Sequence, residues 1–306
     1  MNIQYLKLFV RVAAMRNISQ AGKELGLSAA VASAHLNKLE ESVGVRLLNR
    51  TTRKVSLTEE GEAFLPHAED VLESVAAAEA SVGSARTMPS GVLRIAAPAS
   101  FGRMHLVPAL ADFMAEYPNL RVDLRLSDTM VDLVEGGFDI AIRNAKLLDS
   151  SLIARKLASD RRIVCAAPSY LEKFGVPESP RDLEQHRCLH LSGLDTWEFA
   201  DGAGSVRIKT SGALRADNGE VVRDACVAGL GIAQSSAWCV YEQLANGELV
   251  ELLTDYPSLS DTSIWAVYPS SRLLALKVKA FVDFLAGFYG EPPYWDALSN
   301  KNAGRL

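Results

Sequence analysis

The sequence predicts a small, mostly helical head that ends in a two-stranded hairpin, then one long helix, and then an α/β body. Three observations predict this class. Apolar residues recur at three- and four-residue steps up to residue 43, a seven-residue repeat runs from residue 64 to residue 82, and strand and helix patterns alternate after residue 91. At 306 residues and 33.1 kDa, the chain is long enough for two or three domains, each with its own core.

The head begins with three predicted helices. We expect Ser19 to cap the second helix, and Gly26, which tolerates a positive φ, to end it. Ser28 is expected to cap the third helix and Gly44 to end it. The buried stripe of this third helix consists of Ala32, Leu36, Leu39 and Val43. Only three residues join the second and third helices, which is helix-turn-helix geometry over residues 18–37.

A hairpin is predicted after the third helix. Residues 46–49 and 55–58 are expected to form short strands around a basic tip at 50–54. Such a tip suits phosphates or a narrow minor groove. The alternative interpretation is a three-helix protein-interaction module with a solvated basic loop.

Charge is divided unevenly along the chain. The net charge is −5, which taken whole argues against a nucleic-acid partner. Residues 1–60, however, contain nine basic and five acidic side chains, a net charge of +4, and the rest of the chain carries −9. This asymmetry favours a polyanion-binding head on an acidic body, although a solvated basic face gives the same count.

The run LGLSAAVASAHLNKLEESVGVRLLNRTTRKVSLTEEG resembles the DNA-binding head of the LysR-type transcriptional regulators, and the order of elements is similar along nearly the whole chain. The resemblance implies a winged helix-turn-helix over residues 1–58, all-α with a β wing. Its third helix would enter the major groove and its wing would contact the flanking backbone. The expected DNA-binding residues are Ser28, Ala29, Ala30, Ser33, Ala34, His35, Asn37, Lys38, Arg50, Arg53 and Lys54.

The sequence departs from the family pattern on the face that should read bases. Gln and Pro commonly follow the capping serine and Arg follows the later serine, whereas this chain has Ala29, Ala30 and Ala34. Alanine offers only apolar contact, for example with a thymine methyl group. We therefore predict a DNA site recognised largely through phosphate contacts and shape, for which the basic wing residues determine affinity.

A long helix is predicted after the hairpin. Thr58 is expected to cap it, and about 28 helical residues would follow. Its seam has the heptad spacing and consists of Phe64, Ala68, Val71, Val75, Ala78 and Val82. Such a seam either packs on the core of its own chain or pairs two copies. LysR-type proteins use the corresponding helix to dimerise, so the resemblance assigns residues 59–90 to a dimerisation helix and a hinge.

The remaining chain alternates strand and helix patterns. Leu120, Val122 and Leu124 alternate with charged residues, which is the pattern of a half-buried strand. Alternating strands and helices predict α/β sheets whose ligands gather at the strand ends. The resemblance implies a two-lobed, periplasmic-binding-protein-like effector domain over residues 91–306.

The resemblance also implies the connectivity of the two lobes. The chain is expected to cross between them near residues 162–166 and 264–268. This gives a first lobe of residues 91–162 and 268–290 and a second lobe of residues 163–267.

The cleft between the lobes is the expected effector site. An arginine at a strand end, Arg143, could bind an acidic effector through two parallel hydrogen bonds. By the strand-end rule, the expected effector-binding residues are Ser100, Phe101, Ser127, Thr129, Arg143, Asn144, His190, Ser192 and Asn218. For any one of them a capping or sheet-edge role is an alternative, so the group is better supported than its members.

Motifs for other chemistry are missing or incomplete. His186, Cys188 and His190 form H-x-C-x-H, but no second cluster completes a tetrahedral shell, so we expect no metal site. The G-x-G run at 229–231 lacks the third glycine of a dinucleotide site, and no GxxxxGK[ST], GxSxG or HExxH motif occurs. The four cysteines contain no CxxC, and we expect reduced thiols.

These observations predict a sequence-specific transcriptional regulator that is not an enzyme. Its only expected cofactor is a small-molecule co-inducer or co-repressor. The expected partners are promoter DNA with a dyad-symmetric site, further copies of the chain in a dimer or tetramer, and RNA polymerase. The sequence shows no signal peptide and no apolar run of about 18 residues, so we expect a cytoplasmic, nucleoid-associated protein without a membrane partner. The competing class is an enzyme or solute-binding protein with the head as a docking module.

Overall fold

The computed structural model describes residues 1–50, 55–82, 88–129, 131–133, 136–146, 152–202, 204–212, 214–269 and 275–299. For residues 73, 76, 77, 79–82 and 297–299 it describes the backbone alone. Two compact units divide the chain, one made mainly of residues 1–88 and the other mainly of the residues from 89 onwards. In the described part of the chain, no helix combines the length and apolar character needed to cross a bilayer.

The first unit begins with three helices, α1 (Ile3–Met15), α2 (Ile18–Glu24) and α3 (Ala29–Val43). The predicted ends of α3 are confirmed. The Oγ atom of Ser28 accepts from the backbone N–H of Val31 at 3.4 Å, and Gly44 ends the helix at φ 78°.

The cap predicted for α2 is wrong. Ser19 lies inside the helix, and the cap is Asn17, whose Oδ1 accepts from the backbone N–H of Gln20 at 3.0 Å. Asparagine and serine are comparable caps, so the residue type does not decide between Asn17 and Ser19. The helix begins at Ile18, and the cap is the residue directly before it.

One apolar core joins the helices of this unit. It contains Leu8, Phe9 and Val12 of α1 and Leu36 and Leu39 of α3, all of them at most 1% exposed. Their spacing of three and four residues places them on one face of each helix, which explains why the predicted stripes are buried.

The wing follows α3 as two antiparallel strands, β1 (Leu48–Arg50) and β2 (Val55–Leu57). Asn49 pairs with Ser56 in this hairpin. The first strand begins two residues later than predicted. The residues of the predicted tip from 51 to 54 lie outside the described residues.

The long helix α4 (Glu59–Val82) has 24 residues. The predicted cap is confirmed, because the Oγ1 atom of Thr58 accepts from the backbone N–H of Gly61 at 2.9 Å. A Cβ atom at Gly61 would lie 2.0 Å from the carbonyl oxygen of Leu47. The close approach of α4 to the start of the wing therefore requires glycine.

The first part of the predicted seam packs inside its own chain. Ala68 is 1% exposed within the core of the first unit, and the ring of Phe64 lies 5.6 Å from that of Phe9. Val71 and Ala78 are exposed and Val75 is half-buried. Ala68 is therefore a core residue of the head, which corrects its assignment to the dimer seam. Phe64 is half-buried against this core, and pairing of two copies through the rest of the seam stays a prediction. The side chain of Val82 lies outside the described residues.

The described part of the second unit contains two five-stranded sheets and a two-stranded sheet. Its strands are β3 (Gly91–Ala97), β4 (Leu120–Leu126), β5 (Ile140–Ala145), β6 (Leu152–Ser159), β7 (Arg162–Ala166), β8 (Cys188–Leu191), β9 (Thr196–Asp201), β10 (Gly204–Lys209), β11 (Leu214–Ala216), β12 (Ile232–Ser236), β13 (Val250–Leu252) and β14 (Ser263–Pro269). Its helices are α5 (Ala99–Phe101), α6 (Val107–Glu116), α7 (Pro168–Phe174), α8 (Gly219–Val227), α9 (Ala237–Asn246), α10 (Leu276–Tyr289) and α11 (Tyr294–Ser299). A π-helical turn (Gly102–Leu106) joins α5 to α6, and a 3-10 helix spans Pro180–Gln185.

Each five-stranded sheet is the centre of one lobe, and β9 pairs with β10 in the two-stranded sheet. Lobe I has the strand order β4-β3-β5-β14-β6, and lobe II has the order β11-β8-β12-β7-β13. In lobe I, β3 is parallel to β4 and β5, while β14 is antiparallel to β5 and β6. The carboxyl ends of β3, β4 and β5 therefore meet at one edge of the sheet, where the strand-end rule places ligands.

The chain crosses between the lobes at two places. The first crossing lies at residues 160–161, because β6 belongs to lobe I and β7 to lobe II. The predicted range, 162–166, is β7 itself, so the crossing comes just before it. The second crossing lies between residues 253 and 262. The prediction of a crossing at 264–268 is wrong, and residues 263–269 belong to lobe I. This apolar run is a buried strand between β5 and β6, and the more polar stretch before it makes the connection.

Candidate functional site

The exposed side of α3 is the candidate surface for base contacts. We call Ala29, Ala30, Ala34 and Asn37, all of them exposed, the recognition face, and Lys38 is an exposed cation next to it that suits a phosphate. Val31, which is 41% exposed, adds an apolar side chain that the sequence analysis did not include. The sequence could have indicated this exposure, because Val31 lies outside the buried stripe of α3. Ser33 is half-buried beside this face.

Two predicted DNA-binding residues have roles inside the head. Ser28 caps α3 through its Oγ atom. The ring of His35 packs against the ring of Tyr5 in α1, with their centroids 4.6 Å apart. The His35 ring is therefore not part of the recognition face. DNA contacts by the side chains of Ser28 and His35 stay predictions.

Arg50 connects the wing to α3. Its Nη1 donates to Oδ1 of Asn37 at 2.6 Å, and its Nη2 pairs with Oε2 of Glu40 at 2.6 Å. The other carboxylate oxygen of Glu40 accepts from the backbone N–H groups of Leu47 at 2.9 Å and Leu48 at 3.0 Å. A residue predicted to contact phosphate is thus also held by two side chains of its own domain. Arg53 and Lys54 lie outside the described residues.

A cleft of about 460 Å³ lies between the two lobes of the second unit. Predicted effector residues from both lobes line it, namely Ser100, Ser127, Thr129, Arg143, Asn144 and Ser192. Its volume lies in the range of small-molecule sites.

Three predicted effector residues do not line the cleft. Phe101 is fully buried in an aromatic cluster, with its ring 5.2 Å from that of Trp238. His190 is buried and its Nε2 lies 2.7 Å from the hydroxyl of Thr210; burial also lowers the pKa of its imidazole. Asn218 caps α8. The strand-end rule placed these residues near the correct edge, but it does not specify which way each side chain points.

Several residues of the cleft were missed by the sequence analysis. They are Arg125, Asp128, Arg162, Gln234, Ser235, Ser236 and Thr262. Three of them form the end of β12, a short strand that was not predicted because its two apolar residues are followed by polar ones and show no alternation. The polar Gln-Ser-Ser sequence directly after Ile232 and Ala233 was the available signal.

The cleft combines cationic groups with polar atoms that lack a partner. Arg125, Arg143 and Arg162 all line it. Ser100 is 3% exposed, and its Oγ has no hydrogen-bond partner among the described atoms. The buried Oδ1 atom of Asn144 also has none. Because a buried hydroxyl without a partner costs about 1–3 kcal/mol, a polar ligand atom at this position would stabilise the site.

Asp160 lies at the first crossing and connects both crossings to lobe II. Its Oδ2 accepts from the hydroxyl of Thr262 at 2.9 Å and from that of Ser236 at 3.1 Å, and it lies 3.3 Å from Nε of Arg162. The side chain of Asp160 is fully buried. The hinge is thus built around one buried negative charge, which also neutralises part of the charge of Arg162.

Polar contacts also join the two lobes at the mouth of the cleft. Nδ2 of Asn218 donates to Oδ2 of Asp128 at 2.9 Å. Arg103 forms an ion pair with Glu220, and this hydrogen-bonded guanidinium lowers the pKa of the Glu220 carboxyl. Such contacts can form and break as the lobes close and open.

The H-x-C-x-H residues have partners within lobe II. Nδ1 of His186 lies 3.2 Å from the hydroxyl of Tyr170, and burial raises the pKa of Cys188 to about 12. Among the described residues, no group of three or more His, Cys, Asp or Glu side chains could hold a metal ion. All four cysteines are buried and none forms a disulfide bond.

Two known protein families match this chain. Residues 3–62 match the family described as "Bacterial regulatory helix-turn-helix protein, lysR family", and residues 86–289 match the family described as "LysR substrate binding domain". The HTH-type transcriptional regulator DmlR of Escherichia coli is 37% identical over 290 residues, which cover 94% of each chain.

Solved structures agree with this assignment. The structure of CrgA, a LysR-type transcriptional regulator from Neisseria meningitidis, has a TM-score of 0.61 at 36% identity and covers 94% of this chain and 98% of that one. The full-length structure of the Vibrio cholerae virulence activator AphB has a TM-score of 0.59 at 32% identity, over 94% and 99% of the two chains. The chain therefore belongs to the LysR family of transcriptional regulators, which join a DNA-binding helix-turn-helix domain to an effector-binding domain.

Proposed function

We propose that this regulator responds to a small organic acid that binds between the lobes. The observation that carries the proposal is the composition of the cleft, which has three arginines and a buried serine hydroxyl without a partner. Guanidinium groups bind carboxylates through two parallel hydrogen bonds, and a carboxylate or hydroxyl oxygen would satisfy Ser100.

Binding would change the relative angle of the lobes. The cleft is lined from both sheets, so a ligand that contacts both lobes stabilises the closed arrangement more than an open one. The two short crossings beside Asp160 are the segments that would absorb this motion. The resulting population shift would alter the DNA binding of the head.

We also propose the setting in which this regulator acts. The chain would assemble as a dimer or tetramer on a dyad-symmetric promoter site, where two heads read two half-sites and RNA polymerase is a further partner. The protein would be cytoplasmic and nucleoid-associated, and it would not act as an enzyme. Its relatives are regulators, which supports this setting.

A thermal-shift experiment tests the effector class. Small mono- and dicarboxylic acids and their uncharged amides are screened against the wild type, Arg143→Ala and the control Arg155→Ala. Arg155 pairs with Asp283 on the surface and does not line the cleft. We expect one or more acids, but not their amides, to raise the melting temperature of the wild type and the control, with a smaller shift in Arg143→Ala. Equal shifts in all three proteins would remove Arg143 from the site, and equal shifts by acids and amides would contradict the acid class.

A mobility-shift experiment tests the regulatory function. The full-length protein is incubated with the DNA upstream of its own gene at several salt concentrations, with and without the acid found above. We expect a salt-sensitive specific complex whose mobility or affinity changes with the acid. If no specific complex forms, the competing class of a solute-binding protein or enzyme with a docking head becomes the better interpretation.

A further inference from the structure

Three polar side chains form a connection between α3 and the wing. We call Asn37, Glu40 and Arg50 the α3–wing bridge. Asn37 and Glu40 lie three residues apart on α3, so both point to the same side of the helix, and Arg50 reaches them from the last residue of β1. The side chains of Arg50 and Glu40 are 25% and 14% exposed.

Glu40 fixes one end of this bridge. Its carboxylate accepts from two backbone N–H groups where the chain enters the wing and from the guanidinium of Arg50, at distances between 2.6 and 3.0 Å. These are charge-assisted hydrogen bonds, which are stronger than neutral ones. The position of the wing relative to α3 is therefore set by Glu40, and Arg50 is held in place by it.

Arg50 in turn fixes the orientation of the Asn37 amide. A guanidinium has donors only, so the Asn37 atom that it meets at 2.6 Å is the carbonyl oxygen Oδ1. The amino group Nδ2 then lies on the other branch of the amide. Asn37 is exposed on the recognition face, three residues after Ala34. Since the neighbours Ala30 and Ala34 cannot form side-chain hydrogen bonds, the Asn37 amino group is a polar group that this face can offer to a base.

We propose that Arg50 is a positioning residue for DNA recognition: it holds the Asn37 amide by its oxygen, so that the Nδ2 hydrogens face an acceptor on a base edge. Guanine O6 and N7, adenine N7 and thymine O4 are the acceptors of the major groove that fit this arrangement. The inference deepens the DNA-binding function of the family. It assigns specificity, rather than phosphate affinity, to Arg50.

The energetics of the bridge support this assignment. A phosphate contact by Arg50 would have to compete with Glu40, and breaking the pair would leave a largely buried carboxylate without its cation, which is costly. Arg50 can keep both protein contacts while DNA binds, because the amino group of Asn37 and not the guanidinium would contact the base.

Binding measurements with the full-length protein test the proposal. One probe is a duplex selected by the wild type from a randomised pool, and the other is a shuffled duplex of equal length. Dissociation constants are measured from about 50 to about 200 mM salt for Arg50→Met, Arg50→Lys, Asn37→Ala and the double variant of Arg50→Met with Asn37→Ala. Lys38→Ala, which changes an exposed lysine of the same helix, is the matched control.

The proposal predicts loss of specificity without loss of salt dependence. Arg50→Met, Arg50→Lys and Asn37→Ala should each lower the ratio of selected to shuffled affinity about tenfold and leave the slope of log affinity against log salt unchanged. The double variant should lower this ratio no further than either single variant does, because both changes remove the same contact. Lys38→Ala should weaken binding to both duplexes alike and reduce the slope by about 1.

Other results overturn the proposal. Suppose that Arg50→Met reduces the slope by about 1 at an unchanged specificity ratio, and that Arg50→Lys has the slope and the ratio of the wild type. Arg50 would then be a phosphate contact. Additive losses in the double variant would show that Arg50 and Asn37 act separately. Thermal melting of each variant checks the fold. If Arg50→Met unfolds the head, the proposal is tested with Arg50→Lys and Asn37→Ala instead, for which the same affinity ratio and salt slope are measured. A wild type that selects no duplex would contradict DNA binding itself.

Discussion

At the scale of single residues, His105 shows how burial sets protonation. Its side chain is fully buried among aromatic rings, and its Nε2 donates to the carbonyl oxygen of Trp238 at 2.9 Å. Because a neutral imidazole has one donor and one acceptor, Nδ1 then accepts from the hydroxyl of Tyr294. Burial disfavours the charged form and lowers the pKa of His105 to about 4. We therefore expect His105 to be neutral in the native state near neutral pH.

This pKa predicts how stability changes with pH. An unfolded histidine titrates near pH ~6.5, so as the pH falls from there towards 4 the unfolded chain binds a proton that the native chain does not. The free energy of unfolding therefore decreases in this window, by about 3 kcal/mol for this group at its lower end. We expect the melting temperature of the wild type to fall more steeply from about pH 7 to about pH 4.5 than that of His105→Gln. His67→Gln, which changes an exposed histidine of α4, should behave like the wild type. Parallel curves for the wild type and His105→Gln would contradict the prediction.

Single residues also mark a limit of prediction from sequence. The cap at Ser28 could be predicted, because a cap is defined by its own helix. The partners of Arg50 could not be predicted, since they lie 13 and 10 residues earlier in the chain and meet it only through the path of the hairpin. The sequence showed that Arg50 is a cation, but it did not show that its side chain turns towards Asn37 and Glu40.

At the scale of elements, the apolar stripe of α4 is buried near its start and exposed further along. Phe64 and Ala68 pack into the head, whereas Val71 and Ala78 further along are exposed. A heptad spacing predicts a buried face but does not say whether the cover comes from the same chain or from another. The sequence therefore predicted the helix and its cap correctly, but it did not show that Ala68 belongs to the core of the head.

This division predicts separable effects of two substitutions. Val71→Glu places charges on the exposed part of α4, where two copies would face each other, and glutamate favours helix at least as well as valine. We expect weaker self-association with an unchanged melting temperature, measured by sedimentation and by thermal unfolding. Phe64→Ala should instead lower the stability of the head by about 2 kcal/mol. If Val71→Glu remains fully assembled, α4 does not pair the copies through this face.

Strands show the same dependence on surroundings. The strand β4 was predicted close to its observed bounds, because its apolar residues, which are more buried at the start of the strand, alternate with charged ones. β12 was missed, since it is a short strand in the middle of its sheet whose apolar residues precede polar ones. Lobe I residues of the cleft such as Arg143 were therefore found from the pattern, whereas Gln234 and Ser236 of lobe II were not.

At the scale of the whole molecule, the first 60 residues and the rest of the chain carry opposite charge. The first 60 residues have a net charge of +4 and the remainder has −9. Phosphate contacts act over a Debye length of about 10 Å, so we expect DNA affinity to depend on the local charge of the wing and not on the net charge of the chain.

Two substitutions with equal effects on net charge distinguish these alternatives. Arg53→Ala removes a cation from the basic run of the head, and Arg155→Ala removes one from the second unit, where Arg155 pairs with Asp283. We expect Arg53→Ala to weaken binding to a selected duplex several-fold and to reduce the slope of log affinity against log salt by about 1, because one fewer phosphate is neutralised. Arg155→Ala should change neither value. Equal losses in the two variants would mean that the overall field of the protein governs binding, and an unchanged slope for Arg53→Ala would remove this residue from the phosphate contacts.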